Sequence, residues 1–261
     1  MARHSIAVTT CANPVSADVA QAEAVSARWG VPLLERPKRG SISLLLTEAE
    51  TLLVIERSGV SLTDGEGSAR WSAGLAALRL RALDEGGQGE ALVRVGALSP
   101  GERVLDCTLG LAQDARVAAR LVGPRGEVVG LEVSLPLAML VAEGLRREQQ
   151  EPGSARIAVH HADCRTFLAS LAPRSFDVVL FDPMFSREKR AQPSFALLRR
   201  LASPARLEEA TLCAARRVAG RAVLVKAPRY GPELKALGLT AERASRSAPV
   251  VWARVAPQSC E

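Results

Sequence analysis

Histidine is nearly absent: His4, His160 and His161 are the only three in 261 residues. The five cysteines, Cys11, Cys107, Cys164, Cys213 and Cys260, are odd in number, scattered, and form no C-x-x-C pair. Zinc sites are built from Cys and His at short spacings and disulfide frameworks from even cysteine sets, so neither is supported and no metal is expected. Long apolar runs are missing too, none approaching the ~18 residues of a membrane span. The opening MARHSIAVTTCANPVSADVA is broken by Thr9, Thr10, Asn13 and Pro14 before the apolar core of an export signal forms. The reading is a cytoplasmic protein with no membrane partner. Hydrophobic residues at 48% and charged residues at 24% exclude wholesale disorder, and the length suits one large domain with a modest extension.

Charge is present in excess and unevenly placed. The formal net charge is +6, but Arg187 to Arg229 alone carries 11 Lys or Arg against three acids, Glu188, Glu208 and Glu209. A concentrated basic segment suits a polyanion such as nucleic acid; Arg-rich solvated helix faces would give the same composition.

From about Val104 onward, short β-like runs alternate with helical stretches. The runs RVLDCT (103–108), EVVGLEV (127–133), RIAVHHAD (156–163), FDVVLFD (176–182) and RAVLVKA (221–227) are separated by AQDARVAARLV, LPLAMLVAEGLRREQQ, RTFLASL and ARLEEATLCAARRVA, whose apolar positions recur at helical spacing. This alternation predicts an α/β fold, a Rossmann-like doubly wound, mostly parallel sheet covered by helices. Residues 1–95 read as a small N-terminal α+β subdomain. A helix in DVAQAEAVSARWG closes on Gly30, two strands fall within 41–56, and a helix occupies SARWSAGLAALRLRALDEGG. GALSPGE punctuates the boundary with the second domain, 96–261.

In doubly wound sheets ligands bind at the carboxyl ends of the strands. The first of these strands ends at Asp106, and Gly110 separates it from a helix beginning near Gln113 and Asp114. A dinucleotide fingerprint fails, because Ala112 and Ala115 stand where G-x-G-x-x-G needs glycine. The second strand ends at Glu132, placed to accept the two hydroxyls of an adenosine ribose. The third ends near Asp163, within reach of an adenine amino group, and the fourth at Asp182. Four acid-bearing strand ends suit a cationic sulfonium carrying ribose and adenine better than a pyrophosphate.

That order resembles a class I S-adenosylmethionine-dependent methyltransferase. More narrowly, DCTLGLAQDA, GLEVS, LFDPMF and VLVKAPRYGPEL resemble the ribosomal RNA small subunit methyltransferase J family, which methylates a guanine N2 in 16S rRNA. SARWG and EGGQGEAL extend the resemblance over most of the chain. It implies S-adenosyl-L-methionine as cofactor, small-subunit rRNA as partner, and cofactor contacts at Gln113, Asp114, Glu132, Val133, Asp163, Cys164 and Asp182, beside Asp106 and Gly110. Three positions depart from the family: Ala112 replaces its second glycine, Gln113 an arginine, and Val133 the arginine after the second acid. The basic stretch ahead of the glycines has become Arg81-Ala82-Leu83-Asp84-Glu85.

Asp182-Pro183-Met184-Phe185 resembles the D/N-P-P-Y/F turn of amino-methyltransferases. The Asp182 carboxylate and the Pro183 carbonyl are placed to accept hydrogen bonds from an exocyclic amino group, proline keeps the turn rigid, and Phe185 can stack on the base. Arg187, Lys189 and Arg190 are candidates for RNA backbone contact. Lys226 and Tyr230 are candidates for phosphate binding or for flanking the base. Cys107 and Cys164 read as packing residues rather than nucleophiles. Two alternatives stay open: a methyl acceptor on another RNA base, DNA or a small molecule, or a silent RNA-binding homologue.

Overall fold

The computed structural model describes residues 3–37, 41–72, 74–86, 90–148, 152–183, 193–203, 205–242 and 248–258. Two compact units divide the chain out of sequence order. One comprises Met1–Ser72, Ser134–Gln149 and Glu188–Ala202; the other comprises Ala73–Val133, Gln150–Arg187 and Ser203–Glu261.

In the first unit, β1 (His4–Thr10) pairs in parallel with β2 (Ala49–Glu56), which continues as an antiparallel meander through β3 (Gly59–Thr63) and β4 (Ser68–Arg70). The helix Ser16–Trp29 ends on Gly30, whose φ of 63° is the left-handed conformation glycine tolerates. Two sequence readings are corrected here. The segment expected as a first strand within 41–56 is the helix Ile42–Leu45, because the Ser41 hydroxyl accepts the Ser43 N–H and starts a turn. The helix expected from residue 68 begins only at Gly74, residues 68–70 being drawn into the sheet by β3.

The helix Leu135–Arg147 belongs to this unit and brings a buried acid with it. Glu143 accepts hydrogen bonds from Arg28 Nη1 at 2.8 and 2.9 Å and from Trp29 Nε1 at 2.9 Å. These three bonds, from two donor groups, offset the cost of burying that carboxylate. Beside it, a Cβ on Gly144 would lie 2.2 Å from Trp71 Cγ, so only glycine lets the indole seat against the helix.

The second unit holds six strands in the order β10-β9-β8-β5-β6-β7. These are β5 (Arg103–Asp106), β6 (Glu127–Glu132), β7 (Ile157–His161), β8 (Phe176–Phe181), β9 (Ala219–Pro228) and β10 (Val250–Val255). The first five are parallel, as the alternation predicts, and β10 adds an antiparallel edge that was not foreseen. Val104 and Leu105, Val128 and Val129, Val178 and Val179, and Val223 and Leu224 are all buried, although successive residues point to opposite faces. A sheet buried on both sides explains the near-continuous apolar runs. The polar exception in β8, Asp177, sits at the strand's start and accepts the Arg103 N–H at 2.7 Å. Strand order reverses between β5 and β8, so Asp106, paired with Leu180, and Asp182, two residues beyond Leu180, both lie at the switch point where such sheets bind ligands.

Candidate functional site

The site is built on the carboxyl edge of β5, β6, β7 and β8. After β5 the chain makes a tight loop. Cys107 N–H donates to the Leu180 carbonyl at 2.9 Å, Leu109 N–H to Leu131 at 2.9 Å, and Ala112 N–H closes back on Leu109 at 2.7 Å. Gly110 (φ 49°) and Ala112 (φ 56°) both take the left-handed conformation, which turns the chain into the helix Gln113–Val122. A Cβ on Gly110 would meet only the Thr108 carbonyl, 3.9 Å away. The backbone there is open to a ligand's close approach.

Thr108, which the sequence reading passed over, ties the two switch-point acids together. Its N–H donates to Asp106 Oδ1 at 3.0 Å, and its hydroxyl accepts the Asp182 N–H at 2.6 Å. Glu132 lies at the end of β6 and its Oε2 accepts the Gly110 N–H at 3.0 Å, so the second strand's acid faces the glycine loop. Val133 follows with its side chain exposed, and at the end of the neighbouring strand Ala162 and Cys164 are half-buried. Asp163 caps the helix Cys164–Ser170 by accepting the Arg165 N–H at 2.8 Å, and the Arg165 guanidinium closes on its carboxylate at 2.5 Å. That pairing holds Asp163 below the ordinary aspartate range.

Beneath this edge runs a chain of alternating charges. Lys226 Nζ, on β9, lies 2.7 Å from Asp182 Oδ2 and 2.9 Å from Asp114 Oδ2, and 5.4 Å from the centre of the Trp252 ring on β10. Asp114 Oδ1 accepts Arg79 Nη1 at 2.6 Å, and Arg79 forms two further bonds to Glu90 at 2.7 and 2.9 Å. Gln113 is spent on bracing: its Oε1 accepts the Ala76 N–H and its Nε2 donates to the Leu111 carbonyl. Of the residues read as cofactor contacts, Gln113 and Asp114 therefore shape the loop from behind, while Gly110, Glu132, Val133 and Asp163 lie along its open edge. Lys226, read as a phosphate or base contact, is committed to two carboxylates. Tyr230 is 92% exposed beyond β9. Phe185, Arg187, Lys189 and Arg190 fall outside the described residues.

The basic excess of 187–229 is less of a free face than its composition implies. Arg200 pairs with Asp64, Arg217 donates to the Leu168 and Leu171 carbonyls, Arg221 pairs with Glu102, and Arg216 donates to Ala256. Much of that charge caps the fold's own carbonyls and acids.

Electrostatics mark the switch point. Burial, reinforced by Asp114 and Asp182, pushes Asp106 up to about 8 against the pull of the Thr108 N–H. Burial also raises Asp182 to about 6, with Lys226 opposing and Asp114 adding to the rise. Asp114 stays low despite its burial because Lys226 and Arg79 flank it. Burial keeps the Cys107 thiol protonated, in keeping with its packing against Leu105 and Val179 in the core.

Asp106 and Asp182 lie close enough to raise one another's proton affinity, and a cationic ligand there would favour their ionised forms. Glu132 beside an open glycine loop, with the exposed Val133 next to it, offers acceptors for ribose hydroxyls and an apolar surface for an adenine plane. These residues fit S-adenosylmethionine: Gly110, Glu132, Val133 and Asp163 would hold its adenosyl part, and Asp106 and Asp182 would face its sulfonium end. Among the described residues, no group of three or more His, Cys, Asp or Glu side chains is arranged to hold a metal ion.

Comparison with known proteins agrees. A family model described as a putative SAM-dependent methyltransferase matches residues 36–248. An uncharacterized protein, YpiP of Bacillus subtilis, is 32% identical over 237 residues, 88% of this chain and 92% of that one. The ribosomal RNA small subunit methyltransferase J of Citrobacter koseri is 31% identical over 223 residues, 80% of this chain and 82% of that one. Among solved structures, a SAM-dependent methyltransferase of Neisseria gonorrhoeae superposes with a TM-score of 0.63 over 97% of both chains at 20% identity, a likeness of fold. The chain belongs to the S-adenosylmethionine-dependent methyltransferases, with relatives that include the ribosomal RNA small subunit methyltransferase J proteins.

Proposed function

We propose that this methyltransferase modifies the exocyclic N2 of a guanine in small-subunit ribosomal RNA. The observation that carries the reading is the Asp182–Pro183 turn, fixed at the end of β8 by the Thr108 hydroxyl and standing next to the acid-lined edge. That relatives of this chain are ribosomal RNA small subunit methyltransferases supports RNA as the substrate class. A ribosomal substrate would place the protein in the cytoplasm.

An exocyclic guanine nitrogen is a weak nucleophile because its lone pair is delocalised into the ring, so positioning is the main lever. When bound, S-adenosylmethionine supplies an electrophilic methyl carbon on sulfur. The Asp182 carboxylate and the Pro183 carbonyl accept the two amino protons, which turns the lone pair toward that carbon. Asp182 would receive the amino proton released as the base nitrogen takes up the methyl group that the bound cofactor supplies. A carboxylate raised to about 6 is ionised at neutral pH yet basic enough to take that proton. Phe185 would stack on the base, and Arg187, Lys189 and Arg190 would hold the phosphates. Both roles rest on the sequence.

The test is methyl incorporation into 30S subunits and 16S rRNA from a strain lacking the gene, followed by nucleoside mass spectrometry. N2-methylguanosine is expected with the wild-type chain, and no product with Asp182→Ala, although calorimetry should still detect cofactor binding by that variant. Incorporation confined to DNA, another RNA base or a small molecule would refute the ribosomal reading. Absence of heat with S-adenosylmethionine for the wild type would favour the silent homologue.

A further inference from the structure

We propose that Lys226, clamped between Asp114 and Asp182 and backed by Arg79, is a positioning residue that sets both the orientation and the charge of the Asp182 carboxylate. The inference rests on Asp182 being the group that receives the amino protons.

The geometry leaves Lys226 little freedom. Two of its three donors are spent on carboxylates at 2.7 and 2.9 Å, and the buried Trp252 ring lies across the strand pair, in register with it. Asp182 is consequently held at two points: its backbone N–H by Thr108 and its Oδ2 by Lys226. Asp114 would compete for the same ammonium, but Arg79 occupies its other oxygen at 2.6 Å and is itself anchored by Glu90. Arg79 offsets the charge of Asp114, so the ammonium remains available to Asp182.

Among the described residues, the titratable groups facing Asp182 are Lys226 on β9, Asp114 on the helix Gln113–Val122 and Asp106 at the end of β5. Arg79 and Glu90 lie behind Asp114. Without Lys226, the Asp182 and Asp114 carboxylates would face each other with no cation between them, and one would retain a proton at neutral pH. A protonated Asp182 donates a hydrogen bond where the amine needs an acceptor. Lys226 thus does for Asp182 what no residue within the Asp182-Pro183 turn does.

The experiment is a carboxyl carbon-13 NMR titration of the full chain without cofactor or RNA, with the Asp182 resonance assigned by Asp182→Asn. The wild-type midpoint is expected near 6. Lys226→Met should raise it by roughly one pH unit or more, as loss of a contacting opposite charge does. Arg79→Met should raise it by a smaller step, and Lys226→Arg should restore most of the shift. In parallel, kcat on 30S subunits at pH 7 should fall at least about tenfold for Lys226→Met, the general acid–base contribution being ~10²–10⁴-fold. Its acid limb should move to higher pH, and cofactor affinity should stay near wild type. An unmoved Asp182 midpoint in folded Lys226→Met protein overturns the inference. If that variant does not fold, an unmoved midpoint in Arg79→Met does so. Should no RNA accept a methyl group, the functional reading fails while the titration still decides the role of Lys226.

Discussion

Leu109 occupies the space that a side chain at residue 130 would need: a Cβ on Gly130 would lie 2.4 Å from Leu109 Cδ1 and 3.0 Å from its Cγ. Gly130 sits in β6 directly opposite Asp106, and Leu109 is buried. The leucine pins the loop that presents Gly110 to Glu132.

Gly130→Val should therefore expel Leu109 and displace the loop. Overpacking of this kind costs about 1–3 kcal/mol. The expected result is a lower denaturation midpoint together with a cofactor affinity reduced on the order of tenfold, measured by calorimetry. An affinity equal to wild type would separate the loop from cofactor binding.

Glu132→Ala should act on affinity rather than turnover. It removes the acceptor for the Gly110 N–H and the acid placed for the ribose hydroxyls. Hydrogen bonds to charged groups contribute about 1.5–3 kcal/mol, which corresponds to roughly ten- to hundredfold in Kd. At saturating S-adenosylmethionine, kcat should remain within a few-fold of wild type, in contrast to Asp182→Ala.

Asp106 predicts a pH-dependent stability. Its folded-state value is about 8, above that of an unfolded aspartate near 3.8. Between those values the folded chain binds a proton that the unfolded chain has lost, so this group's contribution to stability declines as pH rises from about 4 to about 8. Asp106→Asn keeps an acceptor for the Thr108 N–H without a charge to desolvate. Its Tm should match wild type near pH 4 and exceed it increasingly toward pH 8, by scanning calorimetry of the cofactor-free chain. A difference independent of pH would mean that Asp106 is ionised in the folded protein.

Much of the candidate site was legible because strand ends are local events. Asp106, Glu132 and Asp182 each follow an apolar run that only a buried strand explains, Asp163 follows the more exposed edge strand β7, and each stands at the end of its strand or just past it. The antiparallel β10 was missed because VVWARV lies outside the alternating pattern and is defined by its partner β9. Ile42–Leu45 was misread because four apolar-rich residues carry no resolvable period. The division near residue 95 follows the punctuation of GALSPGE, whereas compactness groups 73–133 together. Gln113 binds the Ala76 N–H, and Arg79 binds Asp114, contacts between segments far apart in sequence.

The amino-acid order by itself determined the layered α/β architecture and the acids along one sheet edge, since each follows from periodicity and from residue type at a turn, and its family resemblance implied the cofactor. Only the tertiary structure decided that Lys226 lies between Asp114 and Asp182, that Thr108 joins the two switch-point acids, and that Gly130 makes room for Leu109. Those are encounters between residues distant in the chain, created when parallel strands are brought side by side, and spacing along a sequence carries no record of them.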